Sequence, residues 1–443
     1  MKNASRFGSL QLRADGEGLV SRSGTALVPA LADRLGLTSE LSGALQGLRR
    51  RQRGHDPGAV VRDLATMLID GGECVSDIAA LGEQPDLFGE LCSVSTAARV
   101  IKAIGPTELS ALRRARASAR RRAWEAGARP AEVVLDLDSH LVTAHSEKED
   151  AAGNWKGGFG FHPLLCHLEG STEALAGKLR PGNASAFDAD DHVEVLDQAL
   201  AQLPEGAAKG ALVRTDAAGG SHRLATAARE RGLCFSLGYQ LTEAVREAVL
   251  ALPERRWKPA RESDGSIREG AWVAELTESL ATQREWPQGS RLICRKERAH
   301  PGAQLSFGDE GGHRFQCFIT DQRTRSLAEL ELRHRRRARE EDRIREAREL
   351  GLARLPFHDF AANGAWLELC LIAQDLLAWM RALVLAGGLR LAEPKRLRHR
   401  LLHVAGRITR SARQITLHLP RAWPWAAELI AAQERLRAVP APA

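Results

Sequence analysis

The pattern of apolar residues changes at residue 131, and this change constrains the fold more than any other feature of the chain. The segment AEVVLDLDSHLVTAHS alternates apolar and polar residues in the manner of a strand. Strand patterns follow at 161–169 and 173–180, and helix and strand patterns then alternate from 190 to 241. Three strands followed by helix–strand alternation predict a mixed sheet with helices on its faces.

This order of elements is the one used by ribonuclease H-like (RNase H-like) folds. Before residue 131 the chain has helical patterns; HDPGAVVRDLATMLIDGG, for example, has Asp56 as a possible N-cap, Pro57 in the first turn and Gly71 at the stop. Short strand patterns fill residues 243–318, and helical patterns return after residue 325. The sequence therefore predicts an α/β protein: an RNase H-like mixed-sheet catalytic core interrupted by a β-rich insertion, with helical N-terminal and C-terminal regions.

These changes of pattern divide the chain into five regions. Arginine runs at 49–53 and 113–122 favour DNA binding by the N-terminal helices, although solvated basic helices explain each run about as well. The predicted regions are a helical DNA-binding region (1–130), the first part of the core (131–242), a β-rich insertion domain (243–318), the final helices of the core (319–390) and a helical C-terminal region (391–443).

Charge and cysteine usage narrow the possible functions. The chain carries 63 Lys and Arg against 56 Asp and Glu, and the arginine forks suit phosphate oxygens, so a polyanionic partner is expected. The seven cysteines form no CxxC pair, which predicts neither a zinc site nor a disulfide framework in a reduced, cytosolic protein. Glu368, Asp375 and Arg381 interrupt the longest apolar stretch, so this stretch is expected to be a buried helix and not a membrane span.

Two predicted strands end in aspartate, and these carboxylates are the first candidates for chemistry. Asp138 ends the strand in LDLDSH, and Asp216 ends the strand in VRTDAAGG. Each alone is typical of a strand-end turn or a helix cap. On neighbouring strands, however, they could hold a divalent cation for phosphodiester chemistry. Asp136 faces the same way as Asp138, so one could bind metal while the other orders the site.

A third carboxylate is available in RHRRRAREEDRIREAREL, residues 333–350. Its spacing places four charged residues on one helical face: Arg337, Glu341, Arg345 and Arg348. A carboxylate on that face could reach a metal while the guanidinium groups clamp a DNA backbone. A solvated helix with i,i+4 ion pairs is the alternative interpretation. Glu340 and Asp342 point elsewhere in such a helix and are expected on its solvated face.

Several stretches, taken in their order and spacing, resemble the DDE transposases of bacterial insertion sequences, in particular insertion-sequence family 1380. These stretches are LDLDSHLVTAHSEKEDAAGNWKGGFGFHPLL, RPGNASA, VRTDAAG, LPFHDFAANGAWLELCLIAQDLLAWMRAL and LLHVAGRITRSARQITLHLPRAWPWA. Relatives with a β-rich insertion often carry Tyr, Arg, Glu and Lys at a fixed spacing in the final helix. In this chain that spacing gives His334, Arg337, Glu341 and Arg348. The first acid of the family is usually followed by a small hydroxyl residue, and Asp138, followed by Ser139, matches this better than Asp136.

The resemblance implies a cut-and-paste DNA transposase. Asp138, Asp216 and Glu341 would be its catalytic acids and would bind two Mg²⁺ ions, which Mn²⁺ could replace. The candidate DNA-binding residues are His334, Arg337, Arg345, Arg348, Arg180, Asn183 and Trp257. Trp257, like Trp272 and Trp286, could stack on a base flipped out at the transposon end or could be an ordinary core residue.

The implied partners are double-stranded DNA, at terminal inverted repeats and at target sites, and a second copy of the chain in the DNA complex. No membrane is expected, and the implied location is the bacterial cytoplasm, in association with the nucleoid. Two other classes stay open: an RNase H-like metal-dependent nuclease and a catalytically inactive DNA-binding descendant. The β-rich insertion argues against the nuclease, and the three acids argue against the inactive descendant. His334 and Arg348, which replace the usual Tyr and Lys, keep the inactive descendant open.

Overall fold

The helices before residue 131 pack against the rest of the chain and share its hydrophobic core. The computed structural model describes residues 10–49, 54–279, 285–298, 309–412 and 414–442. A short strand, β1 (Leu19–Val20), precedes α1 (Leu27–Arg34), α2 (Leu37–Ala44), α3 (Pro57–Asp70), α4 (Ala79–Gly82), α5 (Pro85–Phe88), α6 (Val94–Ala103) and α7 (Pro106–Ala123). As predicted, Asp56 caps α3 by accepting hydrogen bonds from two backbone N–H groups, and Gly71 ends the helix with a φ of 110°.

Part of the second arginine run is buried. Arg116 and Arg120 of α7 are fully buried, and Arg120 pairs with Glu173 at 2.9 Å. Arg116 pairs with Asp375 at 3.0 Å, and it also pairs with Glu368. The expectation that the run at 113–122 serves DNA binding is therefore wrong for these two arginines, because buried carboxylates occupy their guanidinium groups. Residues 50–53 of the first run lie outside the described residues.

The next part of the chain forms a mixed sheet. Its elements are β2 (Val134–Ser139), β3 (Val142–Thr143), β4 (Ala152–Gly153), β5 (Phe159–Phe161), β6 (Leu164–Leu168), β7 (Ala174–Lys178), α8 (Ala189–Leu200), β8 (Leu212–Thr215), α9 (His222–Glu230), β9 (Cys234–Tyr239) and α10 (Glu243–Leu250). The core strands lie in the order β7-β6-β2-β8-β9. β2, β6 and β7 form an antiparallel meander, whereas β2, β8 and β9 pair in parallel. This order and these directions are those of an RNase H-like core, which confirms the predicted fold class.

The insertion extends the same sheet. Its strands are β10 (Lys258–Arg261), β11 (Ile267–Glu275), β12 (Arg291–Arg298), β13 (Asp309–Glu310) and β14 (His313–Thr320). They pair antiparallel in the order β10-β11-β12-β14, and β14 then pairs with β9 of the core, where Cys317 faces Tyr239. The predicted β-rich insertion is thus present, and a backbone ladder joins it to the core.

The last part of the chain is mainly helical. Its elements are α11 (Leu327–Arg335), α12 (Glu340–Ala347), α13 (Phe360–Trp379), α14 (Pro394–Leu397), β15 (Gly406–Ser411), β16 (Gln414–His418) and α15 (Ala426–Ala438). The hairpin β15–β16 pairs with β1, so the C-terminal region predicted to be helical also contains a small sheet. The apolar helix α13 is buried along most of its length, as expected. No helix among the described residues is long and apolar enough to cross a bilayer.

The buried ion pairs of α7 lead to a stability prediction. Arg120→Met removes a cation that pairs with Glu173 and Asp375, so we expect the free energy of unfolding to fall by about 3 to 5 kcal/mol. Chemical denaturation followed by circular dichroism measures this loss. Arg121→Met, on the exposed side of the same helix, should change stability by less than about 0.5 kcal/mol. Equal losses in the two variants would contradict the assignment.

Candidate active site

Two carboxylates meet where adjacent parallel strands end. In the parallel pairing of β2 with β8, Asp136 lies beside Arg214 and Leu137 beside Thr215. The next step of the same register brings Asp138 beside Asp216. Because parallel strands present their carboxyl ends at one edge of a sheet, chain positions far apart in sequence become neighbours there.

The guanidinium group of Arg337 lies between these carboxylates. Its Nη2 atom is 2.8 Å from Oδ2 of Asp138 and 4.0 Å from Oδ2 of Asp216. The two carboxylate oxygens are therefore at most about 6.8 Å apart, which is the total of these distances. Although burial disfavours its charge, the attraction of Asp138 and Asp216 raises the pKa of Arg337. Both aspartates thus interact with the guanidinium group of Arg337.

The other oxygen of each carboxylate is held by the backbone. Oδ1 of Asp138 accepts a hydrogen bond from the N–H of Ser139 at 2.9 Å. Oδ1 of Asp216 accepts from the N–H groups of Ala218 and Gly219 at 3.1 and 2.9 Å. These bonds fix the rotation of both side chains and leave Oδ2 of each one directed at Arg337.

The turn after Asp216 packs closely against β9. A Cβ atom on Gly220 would lie 1.9 Å from the carbonyl oxygen of Gly238, and a Cβ on Gly238 would lie 2.3 Å from the amide nitrogen of Ala217. Only glycine allows backbones to approach this closely. The two glycines therefore help to fix the position of Asp216.

Burial affects the charge of Asp138. Removal from water, together with the nearby charges of Asp216 and Glu340, raises the pKa of Asp138 to about 6, against the opposing attraction of Arg337. The side chain is only 16% exposed. Ionisation of Asp138 therefore costs free energy, and a second cation bound at the site would offset this cost.

A cleft of about 700 Å³ opens beside Asp216 and Arg337, and Glu341 of α12 lines it. Among the described residues, no three His, Cys, Asp or Glu side chains lie close enough together to hold a metal ion. Glu341 thus shares the cleft but does not complete a three-ligand group with Asp138 and Asp216. The two aspartates do fit a hard divalent cation, since an oxygen of each already faces the same positive group.

Asp136 and Glu340 have a different role from the three candidate acids. Asp136 is fully buried, and its two oxygens accept hydrogen bonds from Arg214 at 2.6 and 2.7 Å. Of the two alternatives on β2, Asp138 is therefore the one that contacts Arg337, and Arg337 lines the cleft. Glu340 is fully buried as well and pairs with Arg343 at 3.0 Å. The expectation that Glu340 lies on a solvated face is wrong, because Glu340 is paired with a buried cation inside the protein. Asp342 is exposed, as expected.

The arginine-rich stretch is helical, but its hydrogen-bonding pattern changes along the chain. A tight 3-10 turn, Arg336–Arg339, separates α11 from α12 and carries Arg337. Arg345 lines a different cleft from Arg337 and Glu341, beside Asp342 and Glu393, and pairs with both carboxylates. Arg348 is exposed. Burial is the main cause that lowers the pKa of His140 to about 4, and the nearby positive charge of Arg348 lowers it further.

Three of the other predicted DNA contacts take part in packing within the protein, although His334 is half-buried and also lines the cleft. His334 stacks on Phe318 with ring centroids 4.3 Å apart, and burial lowers its pKa to about 3. Arg180 is 2% exposed, and its Nε donates to the carbonyl of His162 at 2.9 Å. Trp257 is 7% exposed and packs against Phe315, which favours its alternative as a core residue.

The remaining predicted contacts are more accessible. Asn183 is exposed, and Trp272 and Trp286 are half-buried. Sequence reasoning missed Arg214, which binds Asp136 inside the sheet. A signal was available, since Arg214 precedes Asp216 by two positions on a strand and so shares its face.

The fold and the paired carboxylates define an RNase H-like protein with an interrupted core. The family model described as Transposase DDE domain group 1 matches residues 3–441. The chain therefore belongs to the DDE transposase family, whose domains generally use divalent metal ions. The resemblance found in the sequence is confirmed at this level, and insertion-sequence family 1380 and bacterial origin stay predictions.

A solved structure is also similar to this chain. It is the cryo-EM structure of a piggyBac transposase synaptic complex with hairpin DNA, with a TM-score of 0.41 and 11% sequence identity over 80% of this chain and 74% of that chain. No curated protein matches the sequence.

The raised pKa of Asp138 leads to a prediction about stability and pH. Because the folded-state pKa of about 6 exceeds the ordinary value of 3.8, ionisation costs free energy of folding above pH 6, and the cost fades as the pH falls towards 4. Asp138→Asn should therefore raise the free energy of unfolding at pH 7.5 by about 1 to 3 kcal/mol, with a smaller gain at pH 4.5. Urea denaturation at both pH values measures the free energy of unfolding. Asp342→Asn, at an exposed carboxylate, is the control, and a pH-independent gain in Asp138→Asn would contradict the prediction.

Proposed function

We propose that this chain is a DNA transposase of an insertion sequence, which binds terminal inverted repeats and catalyses metal-dependent strand cleavage and strand transfer. The observation that carries the proposal is the pair of aspartates, Asp138 and Asp216, sharing one cationic group at the edge of an RNase H-like sheet. Membership of the DDE transposase family supports the same reaction class.

Asp138, Asp216 and Glu341 would hold the divalent cations, two Mg²⁺ ions that Mn²⁺ could replace. Bound there, the ions would stabilise the attacking and leaving oxygens at phosphorus. The backbone N–H groups after each aspartate keep the carboxylates turned toward the cation position. Glu341 lies on the wall of the same cleft, from where its side chain could turn toward the same position.

Arg337 has two roles in this proposal. Without metal, its guanidinium group balances one of the two negative charges of the facing carboxylates. Once the carboxylates bind metal, like charge would repel the guanidinium group, which lies beside the cleft and could then pair bidentately with a DNA phosphate. Arg336 and Arg348, exposed on the same stretch, could add phosphate contacts, and binding should weaken steeply as salt rises. Two copies of the chain would be needed to pair two transposon ends.

The reaction is tested on a labelled duplex that carries the terminal repeat of the element, with and without Mg²⁺. The wild-type protein should give cut and joined products only with Mg²⁺. Asp216→Asn should lower both products by about 10³-fold or more, because an acid that holds the metal is lost, while the shift of intact DNA in a gel stays.

The same assay separates the other functions. Cut DNA without joined products would indicate a nuclease, and shifted but intact DNA would indicate an inactive DNA-binding protein. Asp342→Asn, outside the cleft, should react as the wild type does. Equal activity of Asp216→Asn and the wild type would remove Asp216 from the reaction.

Arg337→Gln tests the competition between guanidinium and metal. Removing the positive group that faces Asp138 and Asp216 should tighten Mn²⁺ binding in the absence of DNA by about 3- to 10-fold, while DNA cleavage falls. Electron paramagnetic resonance of free Mn²⁺ measures the affinity. Arg336→Gln, an exposed neighbour, should bind Mn²⁺ as the wild type does, and weaker binding by Arg337→Gln would refute the competition.

A further inference from the structure

A network of buried charges lies directly beneath the candidate active site. Its central members are Asp136, Arg214, Glu340 and Arg343, which we call the positioning network. Each of these side chains is at most 4% exposed. The network lies outside the cleft, so its charges take no direct part in the reaction proposed above.

Three of the four members precede a candidate acid by one or two positions in the chain. Asp136 comes two positions before Asp138 on β2, and Arg214 comes two positions before Asp216 at the end of β8. Residues two apart on a strand share a face. Glu340 immediately precedes Glu341 on α12. All three chain segments that carry the candidate acids thus enter one cluster of charges.

The contacts form a continuous chain. Arg214 donates to both oxygens of Asp136 at 2.6 and 2.7 Å. Nη1 of Arg343 then lies 2.8 Å from Oδ2 of Asp136 and 3.0 Å from Oε2 of Glu340. His167 of β6 binds the other oxygen of Glu340. A charged fork and a bridging arginine therefore tie the sheet to α12 with defined geometry.

Two further bonds of Arg214 widen the network. Its Nη1 donates to the carbonyl of Arg333 near the end of α11, and its Nη2 pairs with Glu169 at 2.9 Å. The tight turn that carries Arg337 begins directly after α11. The same arginine that holds Asp136 therefore also holds the helix that leads into that turn.

Because α12 contains few buried apolar residues, its placement depends mainly on these charged contacts. The helix reads EEDRIREA, and Ile344 and Ala347 are its buried apolar residues. Two apolar side chains give a weak rotational preference, since apolar contacts are non-directional. Buried charged hydrogen bonds are directional, and breaking one leaves an uncompensated charge.

We propose that the positioning network fixes the rotation and register of α12 relative to β2 and β8, and thereby sets where Glu341 stands with respect to Asp138 and Asp216. Arg343 and Glu340 are positioning residues in this assignment, which rests on the proposed function for its consequence in metal binding. Their effect on the metal is transmitted through the backbone of α12.

A second buried network provides a matched control. Arg116 bridges Asp375 and Glu368 as Arg343 bridges Asp136 and Glu340, and its side chain is fully buried. This network joins α7 to α13 and lies on elements that carry none of the three candidate acids. Arg343→Met and Arg116→Met therefore remove the same kind of group from two different places.

Two measurements test the assignment: hydrogen exchange of backbone amides without metal, and Mn²⁺ affinity by electron paramagnetic resonance. Arg343→Met should speed exchange in residues 336–352 at least 10-fold and weaken Mn²⁺ binding at least 5-fold. Arg116→Met should speed exchange in residues 106–123 and 360–379, and should leave Mn²⁺ affinity within 2-fold of the wild type. If either variant fails to fold, Glu340→Gln and Glu368→Gln form the gentler pair with the same expectations.

The outcomes separate the two proposals. Unchanged exchange of 336–352 in Arg343→Met, or an equal loss of Mn²⁺ affinity in both variants, would overturn the positioning assignment. If Asp138→Asn and Asp216→Asn bind Mn²⁺ as the wild type does, the metal site of the proposed function fails. The exchange of α12 then decides by itself whether the network positions the helix.

Discussion

The parallel pairing of β2 with β8, in the register that sets Asp136 beside Arg214, is the constraint on which the rest of the site depends. The pair is held by the backbone ladder and by the fork of Arg214 on both oxygens of Asp136. A slip of one residue would turn every side chain of a strand to the other face. The buried ion pair thus fixes the register that also brings Asp138 beside Asp216.

The negative charges on these two strands are compensated to different extents inside the protein and at the edge of the sheet. Beneath the surface, Asp136 is fully paired, so its negative charge is compensated inside the protein. At the edge, Asp138 and Asp216 share the single guanidinium group of Arg337. Two carboxylates against one cation leave a negative excess at the strand ends, and this excess attracts further cations without disturbing the buried pair.

Local sequence patterns predicted the parts of the fold that local physics decides. The cap and stop of α3 and the strand ends at Asp138 and Asp216 follow from residue types within a few positions. The burial of Glu340 could not be predicted in this way, because its partner His167 lies far away in sequence and a charged helix normally faces water. Trp257 could be read either as a stacking platform or as a core residue, and only the packing of the insertion distinguishes the two.

The continuity of the sheet limits how the cleft can change. One wall comes from β9 of the core and another from β14 of the insertion, and an antiparallel ladder joins these strands. Swinging the insertion away as a separate body would break that ladder and expose its unpaired backbone groups, which is costly. The turn Arg336–Arg339 can move more easily, since it is a 3-10 turn between α11 and α12 and carries mostly exposed side chains. In the proposed function, movement of Arg337 within this turn is therefore the change that would most easily open the carboxylates to a metal ion.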